Sequence, residues 1–452
     1  MSNRPTALNE VAVTHIIAWL AADDPMEDGA VAARARLLFL DTVGCLIAGL
    51  AKPEPAALAA SLGALEPGSV LLPGAKTPLS AGSAAYVAGL AACWDEACEG
   101  LPRAHGRPGL HSFAAALALG LARKHTLAET LRALVAGFEV AGWLGEYLRI
   151  VPGMHVDGTW GTFGAVAAAA RLLALSPDET VAALQGAACQ LPYSLYLPIS
   201  QGATVRNTYV GEAARRGIAC ALDVQSGITA PPGAIETFDR LALGVEGADK
   251  ALAPAGEWFI LQGYLKPYAA VRHVHYGAQA AIDWRRSQGQ PDTTKIETLE
   301  LHIYGEAITY CGNRAPRTPI QAQFSLAYGL AWALCQGDLG PDLSCRQPDR
   351  RGGPPPGSLG DDRGGARIHP RQQTRRAADG RWRDIRGRCG AGRDRIAAAG
   401  GRSGGQVCPL CGARRGPGRG RGPCRGAFTG AAFHRAEGIV PLSPRIAYDP
   451  HE

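Results

Sequence analysis

Several features are missing from this 452-residue sequence, and each absence narrows what the chain can be. Nowhere do eighteen or more apolar residues run uninterrupted, so no segment has the length of a bilayer-spanning helix. No basic region followed by an apolar run and a small-residue cleavage site opens the chain, so a cytoplasmic protein is expected. Neither a phosphate-cradling glycine loop nor a nucleophile elbow is present. A disulfide framework is absent too: seven of the 12 cysteines precede residue 343, scattered singly through apolar helical pattern as Cys45 and Cys220 are, and they read as buried thiols. Lysine is missing from residues 343–452, which hold 22 Arg and nine acidic residues; that stretch carries +13, leaving −7 on the first 342 residues of a chain whose total is +6. One chain contains two chemistries.

What is present begins with helices. Through residues 7–265, apolar residues recur at three- and four-residue spacing amid dense Ala and Gly, predicting helices over 11–20, 32–50, 112–123, 127–144 and 164–175. Pro53, Pro108, Pro152 and Pro231 to Gly233 punctuate them. Small residues let helices approach closely, so residues 1–265 read as one packed helical domain. After Lys266 the texture changes. Leu299, Leu301 and Ile303 alternate with polar neighbours over 297–304, which is the period of a half-buried strand, and a further helix is expected over 320–334. The fold class expected is therefore mainly α: a large all-helical domain (1–265), the start of a smaller α+β lid (266–342), and an aberrant segment (343–452).

Three readings of that last segment stand side by side. Its Arg and Gly could bind nucleic acid through phosphate charge, although regularly interleaved aromatics are missing. Cys408 and Cys411 could be half of a zinc site, but four ligands are needed and only Cys389, Cys424 and His434 lie near, at irregular spacing. The segment could also be an out-of-frame stretch of a GC-rich gene, since Arg, Gly, Pro and Ala have GC-rich codons and Lys does not. On any of these readings it cannot bury enough apolar surface to offset its chain entropy, and disorder is expected.

Four patches in the first 342 residues concentrate polar groups. The first, in residues 94–111, holds Asp95, Glu96, Glu99, Arg103, His105, Arg107 and His111 before an apolar helix; a solvated loop is the bland alternative. The second is His155-Val-Asp157-Gly158-Thr159-Trp160-Gly161-Thr162, where helix-start amides could hold a carboxylate, or Asp157 and Thr159 could simply cap. The third, Gln201-Gly-Ala-Thr204-Val-Arg206-Asn207-Thr208-Tyr209, offers Arg206 as a bidentate carboxylate clamp or an ordinary surface Arg. The fourth is Lys266-Pro-Tyr268-Ala-Ala-Val-Arg272-His273-Val-His275, at the proposed domain junction where clefts form. It could equally be a solvated basic junction, or a zinc pair in His273 and His275, though no Glu or Cys stands at fixed spacing. Together the patches suit removal of a proton next to a carboxylate: cations hold the acid groups and lower the energy of the enediolate, while His exchanges protons near neutral pH.

In this order the patches resemble the MmgE/PrpD family, which includes 2-methylcitrate dehydratase, cis-aconitate decarboxylase and iminodisuccinate epimerase. Further likenesses are Leu40-Asp41-Thr42-Val43-Gly44, the phrase Gly158-Thr-Trp-Gly-Thr-Phe-Gly164, and Pro319-Ile-Gln-Ala-Gln-Phe-Ser-Leu-Ala-Tyr328. The resemblance covers residues 8–342. It implies a helical domain, an α+β lid and a cleft for small polycarboxylates, with no cofactor or metal, no nucleic acid and no membrane, in a homodimer. Asp95, His105, His155 and His275 become the catalytic candidates, and Arg107, His111, Thr159, Arg206, Lys266, Tyr268 and Arg272 the substrate-binding ones. Two departures stand out. Arg107-Pro108 replaces the family's frequent His-Pro, and Arg206 replaces a common Lys. The competing readings are a helical scaffold with a basic nucleic-acid-binding tail and an inactive truncated family member.

Overall fold

The computed structural model describes residues 10–243, 256–289, 291–293, 296, 299–341 and the backbone of 367–370. The expectations for 343–452, including the Cys408 and Cys411 half-site, fall outside these apart from that short stretch of backbone.

Helices dominate the described residues. The first eight are α1 (Glu10–Ala22), α2 (Gly29–Leu50), α3 (Pro53–Leu65), α4 (Ala81–Cys93), α5 (Pro108–Arg123), α6 (Leu127–Tyr147), α7 (Gly161–Leu172) and α8 (Pro177–Ala188). Their starts are written in the sequence. Asp28 accepts from the amides of Ala30 and Val31, and Thr126 with Glu129 and Ser176 with Glu179 form reciprocal capping boxes. Proline fills an early position of α3, α5 and α8, where its missing N–H costs nothing. Ala174, in the left-handed region at φ 55°, follows the end of α7, which therefore stops short of the 164–175 helix expected.

The main core joins α1–α8 to α10 (Thr208–Gln225) and α11 (Ala234–Phe238), while the short α9 (Leu197–Gln201) gives Ile199 to a second core; the main core is built on small residues. Gly89 on α4 and Gly211 on α10 face each other so closely that a Cβ on Gly211 would collide with the Tyr86 carbonyl. Gly137 on α6 and Gly164 on α7 make a second such crossing, each leaving no room for a Cβ against the other's carbonyl. The Ala and Gly density that marked the sequence thus sets the helix spacing.

This second core gathers α12 (Arg272–Ser287), α13 (Gly305–Cys311), α14 (Pro319–Gln323) and α15 (Leu326–Gln336). Strand β1 (Glu300–Ile303) buries Leu301 and Ile303 and exposes Glu300 and His302, the alternation expected, and runs parallel to β2 (Arg367–Pro370). The single helix expected over 320–334 is two. Phe324 ends α14, and Ser325 restarts the chain by accepting from the Tyr328 amide at 3.1 Å.

Three tethers tie the segment that leads into the second core, and that core itself, to the first. Both carboxylate oxygens of buried Glu139 on α6 accept backbone amides, from Phe259 at 2.8 Å and Ile260 at 2.9 Å. Gly100 and Tyr264 pair as an antiparallel bridge, with N–H to carbonyl distances of 3.0 and 2.8 Å. Gln323 donates its side-chain amide to the Trp94 carbonyl at 3.2 Å and accepts the Val271 amide on its own carbonyl at 3.0 Å. These fix the segment carrying Lys266 and Arg272 against the loop that follows α4. Among the described residues no helix is long and apolar enough to cross a membrane.

Candidate active site

The loop after α4 turns sharply at Glu96, whose φ of 53° is uncommon for a residue with a Cβ. That turn sends the Glu96 carboxylate inward, where three cations meet it. Lys266 donates to its Oε1 at 2.6 Å and to its backbone carbonyl at 2.9 Å. Arg107, at the start of α5, donates to Oε2 at 3.0 Å, and Arg206 donates to the same oxygen. Arg107 also forms a close pair with Asp157, which lies 4.0 Å from Arg206. The buried thiol of Cys93 lies 3.2 Å from Arg107 and 3.1 Å from Arg206.

All five charged side chains are buried, so their pairing is decisive. Burial alone would push Glu96 and Asp157 up, but the facing cations hold Glu96 well below the usual carboxylate range, and Arg107 with the neighbouring histidines and Arg206 does the same for Asp157. Both acids are therefore ionised. Three cations against two carboxylates leave this inner cluster one positive charge in excess.

The cluster absorbs three of the four cations expected to grip a substrate, Lys266, Arg107 and Arg206. Arg206, on a single turn of 3-10 helix (Thr204–Asn207), is fully buried, and it divides its guanidinium between Glu96, the Asn207 side chain at 2.6 Å and the Cys93 carbonyl at 3.3 Å. Arg107 is spent similarly. His111 is locked as well: its Nδ1 donates to the Arg107 carbonyl at 2.9 Å, and its Nε2 accepts the Gly158 amide at 3.2 Å. A Cβ on Gly161 would strike the His111 ring, which explains the glycine beside it. Thr159 is buried and donates to the Val156 carbonyl at 2.7 Å, so its hydroxyl serves the turn before α7. Asp95 pairs with Lys52 at 3.6 Å.

A second group lines the junction. Arg272 begins α12 with its guanidinium 5.8 Å from the centre of the Tyr264 ring, and His273 hydrogen-bonds the Tyr304 hydroxyl through Nδ1. His105, itself at φ 55°, lies within electrostatic reach of Arg149 and Arg272, and its ring remains partly at the surface. Among the described residues no ion pair holds Arg272 or Arg149 to a carboxylate; Glu146, the acid nearest Arg149, is gripped by Arg103 at 2.9 Å through both oxygens. Burial, followed by the Arg272 and Lys266 charges, pushes His273 down to about 3. His275 falls to about 3 through burial and Lys266, and His155 to about 4 through burial, so all three imidazoles are neutral at pH 7.

Two more histidine contacts matter. His275 donates from Nε2 to the Ala270 carbonyl at 2.9 Å, with Tyr268 edge-on at 5.3 Å between ring centres. Tyr268 itself donates to the Gln279 side chain at 2.5 Å. His155 accepts the Asp157 amide on Nδ1 at 3.0 Å and sits between Tyr196 and Tyr209, 6.2 and 6.0 Å from their ring centres. His273 and His275 diverge on the first turn of α12. Among the described residues no group of three or more His, Cys, Asp or Glu side chains is placed to hold a metal ion.

The sequence reading had counted Glu96 only as one acid of the first patch and had weighed capping as the bland alternative for Asp157. Neither capping nor loop solvation describes them. Their signal was position alone: Glu96 next to Asp95, Asp157 two residues after His155.

Fold and site define a mainly helical protein whose two cores meet at a group of buried, mutually paired cations and acids flanked by histidines. The MmgE/PrpD N-terminal domain matches residues 14–250 and the MmgE/PrpD C-terminal domain residues 268–345, and the chain belongs to the MmgE/PrpD family. That membership points to an enzyme of dehydratase or lyase type. No curated protein matches the chain. The C-terminal match ends three residues beyond the change of composition at residue 342.

Proposed function

We propose that the chain is a cofactor-independent lyase or isomerase that removes a proton next to a carboxylate of a small di- or tricarboxylic acid. One observation carries this reading: among the described residues the junction presents guanidinium groups that form no ion pair with a carboxylate, Glu306 and Glu146 being only their more distant electrostatic neighbours, beside several neutral imidazoles. A half-buried cation without an ion-pair partner carries a desolvation cost, and a carboxylate ligand offsets it. Arg272, and Arg149 near it, would hold the acid groups. Lys266, already on Glu96, would contribute the excess positive charge of the inner cluster to the enediolate that develops when the proton leaves. Arrival of a polyanion would also raise the basicity of the nearby imidazoles, because each new negative charge favours their protonated form. The base would then be strongest when substrate is in place.

Incubation of the full chain with citrate, cis-aconitate and iminodisuccinate, followed by product analysis, tests this. Turnover of one acid that Arg272→Ala weakens supports the proposal. Failure to bind or convert any polycarboxylate counts against it.

A further inference from the structure

Two of the histidines near Glu96 have their proton positions dictated by backbone groups that can play only one part. A carbonyl oxygen only accepts and an amide N–H only donates. The Ala270 carbonyl therefore requires a proton on Nε2 of His275, leaving a lone pair on Nδ1 of the neutral ring. The Asp157 amide requires the opposite of Nδ1 in His155: that atom must accept, so the proton of the neutral ring resides on Nε2. Neither His275 Nδ1 nor His155 Nε2 has a hydrogen-bond partner among the described residues. Both rings lie within electrostatic reach of Glu96, His155 from the first core and His275 from the second.

We infer that these backbone contacts divide the acid–base work: His275 accepts the substrate proton on Nδ1, while His155 acts as a neutral hydrogen-bond donor through Nε2 and does not itself exchange a proton. The inference rests on the proposed reaction and deepens it. In the step, the C–H bond next to a substrate carboxylate breaks and its electron pair moves into the carbon–carbon bond of the enediolate. The proton forms a new N–H bond at His275 Nδ1, and the resulting imidazolium keeps its Nε2–H on the Ala270 carbonyl. The negative charge arriving on the carboxylate oxygen receives the His155 Nε2–H hydrogen bond. His155 stays neutral throughout, because a second proton on Nδ1 would displace the Asp157 amide, and the Asp157 carboxylate 3.7 Å from that nitrogen is already paired with Arg107. His111 supplies an internal contrast, since its Nδ1–H on the Arg107 carbonyl fixes the other tautomer.

Substitution separates the roles. In glutamine the amide nitrogen sits roughly where Nε2 does, so His275→Gln keeps the donor to Ala270 and loses the base, whereas His155→Gln keeps the donor to substrate. With citrate and cis-aconitate as probes in deuterated water, His275→Gln should slow exchange of the substrate C–H by about 100- to 10,000-fold. His155→Gln should stay within about 10-fold of the parent with an unchanged pH profile, while His155→Ala should lose about 100-fold or more. Exchange by His275→Gln near the parental rate overturns the assignment, as does equal loss in His155→Gln and His155→Ala. Ring-nitrogen NMR of the full chain with labelled histidine tests it without any substrate: pyridine-type Nδ1 is expected for His155 and His275 and pyrrole-type Nδ1 for His111, each resonance identified by its loss in the Gln variant. A protonated Nδ1 on His155 or His275 would sink the inference. If the nitrogens are as expected but the parent exchanges no proton in either acid, the proposed substrate class fails instead.

Discussion

The inner cluster and the junction group are both rich in cations, yet they differ in one respect that decides what each can do. Around Glu96 every cation has a protein carboxylate, and the ions are sealed from water. Around Arg272 the cation has a tyrosine ring, two neutral histidines nearby and no carboxylate pair among the described residues. The first arrangement holds the loop, α5 and the turn at Arg206 in register. The second leaves charge available to a ligand. A count of Arg and Lys per patch treats the two alike, and only the placement of the acids separates them.

The sharpest way to break this comparison is to remove an acid from the inner cluster. Asp157→Asn leaves Arg107 without its closest partner inside a sealed site, and the chain should lose about 3–5 kcal/mol of stability in urea unfolding. Adding Arg107→Gln to that variant should cost less than the sum of the single changes, since the second change removes the orphaned charge. A loss below about 1 kcal/mol for Asp157→Asn would show that water reaches the cluster and that the two groups are not distinct.

Arg272→Ala should show the converse. No protein carboxylate is orphaned by it, so the stability change should be held to the cation–π contact with Tyr264, about 0.5–1 kcal/mol. The KM for the carboxylate substrate should rise about 10- to 100-fold, corresponding to a lost charge-assisted hydrogen bond of roughly 1.5–3 kcal/mol. A large loss of stability with unaltered KM would place Arg272 with the inner cluster.

Glu99 gives a pH test of how dry the region beneath both groups is. Its carboxyl accepts the Leu110 amide at 3.0 Å at the start of α5, and burial pushes it up to about 8. An acid whose folded pKa is raised binds its proton more tightly when folded. Stability from this group is full below the unfolded value near 4.5 and declines as pH rises toward 8. Between those limits the slope should be on the order of 1 kcal/mol per pH unit, and Glu99→Gln should flatten it. An unchanged slope in that variant would show that Glu99 is ionised in the folded chain.

How much of this was readable beforehand follows from what each feature depends on. Helices α1, α2, α5 and α6 were legible because apolar spacing and caps are local, and β1 because Leu301 and Ile303 alternate with polar residues. The break at Phe324 was not, since Ser325 resembles any helical serine until its side chain caps a new helix. The patches themselves were legible as concentrations of charge. Their internal division was not: it depends on the left-handed turn at Glu96 and on the Gly100–Tyr264 bridge, which brings Lys266 across 170 residues of sequence to Glu96. Likewise, Arg107 and Arg206 looked like substrate clamps because nothing local reveals that Asp157 and Glu96 already hold them.

The smallest expected effect concerns the acid that sequence reading favoured. Asp95 adjoins Glu96, yet the turn between them sends the two side chains to different neighbours, Asp95 to the partly exposed Lys52 at 3.6 Å. An ion pair that reaches solvent contributes little, so Asp95→Asn should cost less than about 1 kcal/mol. If Asp95 nevertheless orients a catalytic histidine, the same change should lower kcat about 100-fold at nearly constant stability, because a misplaced imidazole loses its aim without unfolding the chain. Measured beside Glu96→Gln, which should lose stability in the way Asp157→Asn does, the result decides which of two adjacent carboxylates serves the chemistry and which serves the scaffold.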